Sequence, residues 1–409
     1  MDAESYTAAP ARPAVRGRSG RRDLVDVSLF VFAADLVWGM VAPTFSLFVR
    51  DLGGSPLAVG VLAATVGATR LVGSFPVGAL SDRVGRKAVL VAGGALFGAA
   101  FLLFTVPSDP WLLAGPRVLL GLAMLATFPL GVAYIAGTVS PRRRTLAISV
   151  YVSAQGLGYA LGPLLGSWLA SAYGYELTYR VAAGIALAAA AAAARRLRRE
   201  PPGPAAARPL RLRRLPRDLA APAVANVAVM LMFSGAVTPF LSLYAARLGL
   251  GVFAVGALYA ARAAASVSAR LPAGLLARRL PNARLAVAAV ALDAAAALGV
   301  AASGSAAPLV AAALADGVAF GVFLSAGQSL VAERAPPGRQ GAAIGAFAAA
   351  GALGETAGAL GFGVLAHLVS LRAVFVVAGA ALAAAAAASS RLLGEDGVSR
   401  GRARSAPRA

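Results

Sequence analysis

Apolar residues run through this chain in long stretches, broken by short polar, basic or Pro/Gly-containing segments. The stretches lack the strict alternation of a half-buried strand. A helix needs about 20 mostly apolar residues to cross the hydrocarbon core of a bilayer. The candidates are residues 27–48, 57–81, 88–106, 111–139, 146–170, 177–194, 219–245, 252–276, 283–301, 308–332, 341–367 and 371–390. The sixth and twelfth are the least apolar, because Ala188 to Ala194 and Ala383 to Ala388 add little hydrophobicity. The first follows a polar, Arg-rich segment and is itself long enough to span, so it reads as a helix and not as a cleaved leader. The pattern predicts an all-α membrane protein with twelve transmembrane helices.

Between the sixth and seventh stretches, residues 195–218 read RRLRREPPGP and then RPLRLRRLPRD around a short Ala run, a basic, Pro-rich linker. The expected organisation is a tail (1–26), a six-helix bundle (27–194), the linker (195–218), a second six-helix bundle (219–390) and a tail (391–409). Sliding the sequence on itself by 196 positions brings the two bundles into register. Gly39, Val41, Pro43 and Leu52 fall on Gly235, Val237, Pro239 and Leu248; Pro76, Gly78 and Arg83 on Pro272, Gly274 and Arg279; Gly121, Gly158 and Gly162 on Gly317, Gly354 and Gly358. Six spans per half and a linker on the same side as the termini make the repeats parallel. Parallel six-span repeats enclose a central cavity at their interface, the arrangement used for alternating access.

Composition removes whole classes of function. The 409 residues are 59% hydrophobic and 13% charged, with mean hydropathy +0.75, whereas soluble proteins carry about 25% charged residues. A cytosolic enzyme is excluded on that ground. There is no cysteine, and His367 is the single histidine, so disulfides, thiolate metal sites and histidine clusters are excluded too. No metal or cofactor is expected, and no nucleophile–base pair supports an enzyme.

The formal charge of +21 raises the question of a polyanionic partner. Placing each basic residue answers it. If the N-terminus is cytoplasmic, 30 of the 38 Lys and Arg fall in cytoplasmic segments, among them Arg83 to Lys87, Arg142 to Arg144 and the linker. This is the positive-inside bias. It puts both termini in the cytoplasm of a multi-pass plasma (inner) membrane protein, and contact with anionic lipid accounts for the charge without nucleic acid.

Between spans two and three stands Gly78-Ala-Leu-Ser-Asp82-Arg83-Val-Gly85-Arg86-Lys87. It resembles the signature loop of the major facilitator superfamily, matching each specified position. The resemblance implies a network that locks the cytoplasmic side in one of two states, with Gly78, Asp82, Arg83, Gly85 and Arg86 as its parts. The second-half stretch, Gly274-Leu-Leu-Ala-Arg278-Arg279-Leu-Pro281, lacks the acid, and a lock there is expected to be weak or absent. Span four carries Arg117-Val-Leu-Leu-Gly121, similar to a superfamily motif tied to proton transfer. Span five carries Gly158-Tyr-Ala-Leu-Gly162-Pro163-Leu-Leu-Gly166, which looks like the motif of the twelve-helix drug and metabolite:proton antiporters. Small residues four apart let helix backbones meet, and Pro163 bends the helix.

An ionisable group near mid-bilayer costs at least about 2.5–3.5 kcal/mol, so each one needs a reason. Four acids fall well inside spans: Asp35, Asp293, Asp316 and Glu355. Asp35 shares a helix face with Trp38 and is the first candidate for a carrier that alternates between a proton and a cationic substrate. Glu355 sits among glycines in span eleven and Asp316 in span ten; Asp293, on a peripheral span, is expected to pair with a neighbouring helix. Arg117 is expected to tune Asp35, and Arg70 and Arg262 are either ion-pair partners or site residues. Arg270, near a helix end, is expected to snorkel. Tyr151, Gln155, Tyr159, Asn226, Phe233 and Gln328 lie on spans expected to line the cavity.

The leading expectation is a monomeric, proton-coupled exporter of small amphiphilic or cationic compounds, with Asp35, Arg117 and Glu355 coupling protons. A sugar, organic anion or amino acid transporter is the second. A non-transporting membrane sensor is the third, and the short tails, expected to be disordered, offer it no folded soluble extension.

Overall fold

A computed structural model describes residues 17–139, 143–199, 219–335 and 340–405, and these contain no β-strand. Residues 200–218, most of the expected linker, lie outside the described residues, as does Arg142. The first half comprises α1 (Gly17–Asp51), α2 (Pro56–Val84), α3 (Arg86–Leu103), α4 (Ala114–Thr138), α5 (144–173) and α6 (175–196). The last two form one helical run, Arg144–Arg196, broken at Gly174, whose φ of 84° and ψ of 170° belong to no helix. Glycine alone adopts that backbone without strain, so one residue makes the turn between two spans. The second half comprises α7 (Ala220–Arg247), α8 (Val252–Leu276), α9 (Asn282–Ala302), α10 (Ala306–Arg334), α11 (Gln340–Leu368) and α12 (Leu371–Ser405).

Among the described residues, eleven helical runs are long and apolar enough to cross a membrane. One of them, Leu146–Arg196, is 51 residues long and holds the break at Gly174, which gives the twelve crossings the hydrophobic pattern predicts. The helices outrun the apolar stretches at both ends of the chain: α1 begins at Gly17, inside the expected N-terminal tail, and α12 continues to Ser405. At the start of α1, Asp23 and Asp26 pair with Arg198 and Arg196 at 4.0 and 3.6 Å, tying that end to the end of α6.

The repeat seen in the sequence is realised as paired contacts. Gly121 of α4 packs on the Val66 carbonyl of α2, and Gly317 of α10, 196 positions on, packs on the Arg262 carbonyl of α8. Gly39 meets Gly162 in the first half, and Gly235 meets Gly358 in the second. The halves join along two seams related in the same way. Gly60 of α2 lies against Ala359 and Gly363 of α11, and Gly256 of α8 against Pro163 and Ser167 of α5. Both contacts lie toward the end of the bundle remote from the chain termini. Toward the terminal end of the same helices, a Cβ at Gly78, Gly274 or Gly345 would meet nothing within 4 Å. Backbone-to-backbone joining is thus a property of the remote end.

Candidate functional site

α1 and α5 approach closely because Gly158, Gly162 and Gly166 sit over the carbonyls of Phe32, Leu36 and Met40. Each series advances by four residues, so the two backbones touch along three turns, where any side chain would hold them apart. The approach brings Gln155 beside Asp35. Asp35 is 4% exposed, Gln155 is its side-chain hydrogen-bond partner, and its Oδ2 has no hydrogen-bond partner among the described residues. The cation whose charge acts on Asp35 is Arg270 of α8, which reaches across to α5 beside Gly156. Arg270 therefore belongs to the mid-bundle cluster, and the sequence reading of a snorkelling helix-end residue missed it.

Arg117 turns elsewhere. Its Nε donates to the Leu62 carbonyl at 2.9 Å, and its guanidinium lies 4.2 Å from the Phe45 ring centroid and 6.0 Å from that of Trp38. Gly121, one turn on, permits the α2–α4 approach that brings Leu62 within reach. The acid whose charge acts on Arg117 is Glu355, so the expected tuning of Asp35 by Arg117 is not the arrangement found. Glu355 of α11 is itself paired with Arg70 of α2, Nη1 to Oε2 at 2.6 Å, across the interface between the halves. Gly67 leaves room for this contact, since a Cβ there would stand 3.0 Å from Glu355 Cγ.

The second half supplies an aromatic wall backed by charge. Residues 231–241 of α7 form a π-helix, and Thr238 Oγ1 donates to the Phe233 carbonyl at 2.8 Å. Pro239 within this stretch cannot donate to the helix ladder, and wide π turns of this kind cluster at functional sites. Phe233 stacks on Phe320 of α10 with centroids 4.3 Å apart and meets Tyr159 of α5 at 6.4 Å. Behind the two rings lies the guanidinium of Arg262, 4.8 and 5.5 Å from their centroids, which is ion-paired with Asp316. Asp293 of α9 is buried, and its Oδ1 has no hydrogen-bond partner among the described residues. The charges of Arg262, Asp35 and Asp316 all act on Tyr159, so this residue stands between the two halves' charged clusters.

Other candidates are placed differently. Tyr151 is buried, its hydroxyl donating to the Phe128 carbonyl of α4 at 3.2 Å, and Asn226 donates to the Phe347 carbonyl of α11 at 2.7 Å. Both hold helices together within one half. Gln328 is exposed on α10, beyond the aromatic wall. In the signature loop, Gly85 joins α2 to α3 with φ 88°, its N–H bonded to the Ser81 carbonyl at 3.0 Å, and Arg86 donates to the Ala133 carbonyl of α4 at 2.9 Å. Asp82 is partly buried and Arg83 exposed. Phe320 went unnoticed in the sequence, although it lies one helical turn beyond Asp316 on the same face.

Two curated relatives share part of the chain. "Uncharacterized MFS-type transporter MJ1560" of Methanocaldococcus jannaschii is 28% identical over 148 residues, 36% of this chain and 38% of the relative. "Multidrug resistance protein MdtG" of Citrobacter koseri is 28% identical over 167 residues, 39% of this chain and 41% of the relative. The match thus spans about two fifths of these relatives' length. Solved structures match more fully in shape. A bacterial homologue of the human lysosomal transporter Spinster, in an inward-facing and occupied conformation, superposes with TM-score 0.78 at 15% identity, over 91% of this chain and 97% of that one. A variant of the nucleoside transporter NupG gives 0.76 at 12% identity, over 90% and 99%. These likenesses show the fold. The sequence profile described as Major Facilitator Superfamily matches residues 27–307 and 223–408, between them nearly the whole chain. The chain is therefore a multi-pass membrane protein by its apolar helices and belongs to the Major Facilitator Superfamily.

Proposed function

We propose that the chain exports small amphiphilic or cationic compounds in exchange for protons, with Asp35 as the carrier. The observation that carries this reading is the setting of Asp35. Its carboxyl is buried at the interface of the halves with one oxygen unpartnered, near half-buried Tyr159, Phe233 and Trp38. An acid so placed meets the requirement that proton and cation compete for one group, and aromatic walls with few polar groups suit a broad range of apolar substrates. The partial likeness to MdtG, a multidrug resistance protein by name, agrees with the assignment.

The positive-inside bias of the basic segments supports a cytoplasmic terminal end of the bundle. In that orientation the seams at Gly60 and Gly256 close the outer side, and the open glycines Gly78, Gly274 and Gly345 lie on the inner side. This is the state that admits a compound from the cytoplasm. Asp35 then binds the cation, the halves rock about the seams, and a proton from outside displaces the cation from the carboxylate. The return step carries that proton inward. Residues of the signature loop brace the first half's inner face, Arg86 through the Ala133 carbonyl.

A second reading has its own observation. Arg70, half-buried at the interface, and Arg270 beside Asp35 would suit a substrate with a carboxylate or phosphate group. A panel of lipophilic cations, sugars and organic acids, assayed in proteoliposomes with and without a pH gradient, separates the two. Gradient-dependent uptake of cations alone supports export, and uptake of organic acids alone overturns it.

A further inference from the structure

The two repeats differ at one place that bears on the aromatic wall. Pro239 of α7 stands 196 positions after Pro43 of α1, as Gly235 does after Gly39 and Val237 after Val41. Yet α1 is α-helical from Gly17 to Asp51, whereas α7 widens to a π-helix over Leu231–Leu241. The shared proline therefore does not by itself cause the widening. What differs is a neighbour: Tyr259 of α8 stands where the first half has Ala63. The Tyr259 hydroxyl donates to the Val237 carbonyl at 2.7 Å and shares its proton with the Thr238 carbonyl at 3.1 Å.

A hydroxyl at that point answers a need of the backbone. In π spacing each amide pairs with the carbonyl five residues back, and in α spacing with the one four back. Where the first gives way to the second, one carbonyl is passed over and needs another donor. The π stretch ends at Leu241 and the α-helix resumes at Ser242, which puts the passed-over carbonyl at Val237 or Thr238. These are the two that Tyr259 reaches. Beyond the turn α7 is fixed, because the Tyr244 hydroxyl donates to the Ser303 carbonyl at 2.9 Å. Before it stands Phe233, stacked on Phe320 and backed by Arg262, which lies one turn along α8 from Tyr259. Each residue of an α-helix turns by about 100°, so a one-residue change of register at the π turn swings Phe233 around α7 and off Phe320.

We propose that Tyr259 is a positioning residue: its hydroxyl holds the π turn of α7, and the turn sets where Phe233 stands in the aromatic wall. Tyr259 is itself buried and acts through the α7 backbone. A consequence is that Tyr259 governs how well the wall receives a planar aromatic compound. That consequence rests on the export reading; the placement of Phe233 does not.

The placement is read without a substrate. The chain has no cysteine, so Phe233→Cys with Phe320→Cys supplies its only two thiols, at positions whose ring centroids are 4.3 Å apart. The full chain in liposomes is treated with a short bifunctional thiol reagent, with Tyr259 and with Tyr259→Phe. The expected result is efficient cross-linking with Tyr259 and a yield lowered about 2- to 12-fold without its hydroxyl, the range one hydrogen bond supports. Equal yields overturn the proposal.

Initial rates in proteoliposomes, without the added cysteines, test the consequence. Tyr259→Phe should raise KM for tetraphenylphosphonium by a similar factor, leave kcat little changed and spare tetrabutylphosphonium. In a Phe233→Leu background the same substitution should add nothing. An unchanged KM for tetraphenylphosphonium that is carried, or an effect that persists in Phe233→Leu, also overturns the proposal. Transport of neither cation counts against the export reading, and the cross-link then decides the role of Tyr259 alone.

Discussion

Arg70 and Glu355, 285 positions apart, meet at 2.6 Å and so link α2 of one half to α11 of the other. The pair lies partway along the seam that begins at Gly60 and Gly363. A contact that crosses the interface in one state must be remade or lost when the halves rock, and its strength sets part of the balance between states.

Neutralising one partner is expected to weaken that balance. Breaking a fully buried pair costs about 3–5 kcal/mol; with Arg70 a third exposed, about 1–3 kcal/mol is expected after allowing for screening. Arg70→Gln and Glu355→Gln should each reduce transport by about 5- to 150-fold, and the exchanged pair, Arg70→Glu with Glu355→Arg, should recover part of it. Initial rates in proteoliposomes check this. Full activity in both single variants would show that the pair is only structural.

The glycines divide by the state in which they are needed. A Cβ at Gly162 would stand 2.7 Å from the Gly39 Cα and closer still to the Leu36 carbonyl. Gly162→Ala should lower thermal stability by about 1–3 kcal/mol, the usual cost of overpacking. A Cβ at Gly78 meets nothing within 4 Å, and alanine is the better helix former by about 0.5–1 kcal/mol. Gly78→Ala should therefore hold or gain stability, yet lose transport if the inner ends of the helices must close on one another. Thermal unfolding and rate, measured on the same preparations, separate the two effects.

Tyr151 tests packing against lining. Its hydroxyl is spent on the Phe128 carbonyl, so Tyr151→Phe should cost about 0.5–1.5 kcal/mol of stability and leave substrate preference unchanged. Tyr159→Phe, at the interface of the halves, should change the relative rates of different substrates with little change in melting temperature. Competition assays across a substrate panel check both. An altered preference in the first variant would place Tyr151 in the site.

Much of the fold was legible because a bilayer enforces long apolar runs and because the repeat preserves glycines whose contacts recur at one offset, as Gly121 and Gly317 show. Gly174 lies in the break expected between spans five and six, residues 171–176, but nothing in the sequence marks it as the one residue that makes the turn. The site was legible in type and less so in pairing. Mid-span charges announce themselves, but Asp35 and Arg270 lie 235 positions apart, and Arg70 and Glu355 285. Only the packing of one half on the other determines such partners. The burial of Tyr151 and Asn226 was likewise hidden, because a helix that lines a cavity also has faces turned toward its neighbours.

The role of Asp35 is tested most directly by proton movement in proteoliposomes holding a pH-sensitive dye and a pH gradient, with wild type and Asp35→Asn compared on addition of tetraphenylphosphonium or another lipophilic cation that the wild type carries. Removing the carboxyl removes the one group for which proton and cation compete. The account predicts that the cation dissipates the gradient in wild type and leaves it intact in Asp35→Asn, with the variant folded and monodisperse. Equal proton movement in both proteins, or cation transport by wild type that ignores the gradient, would contradict it.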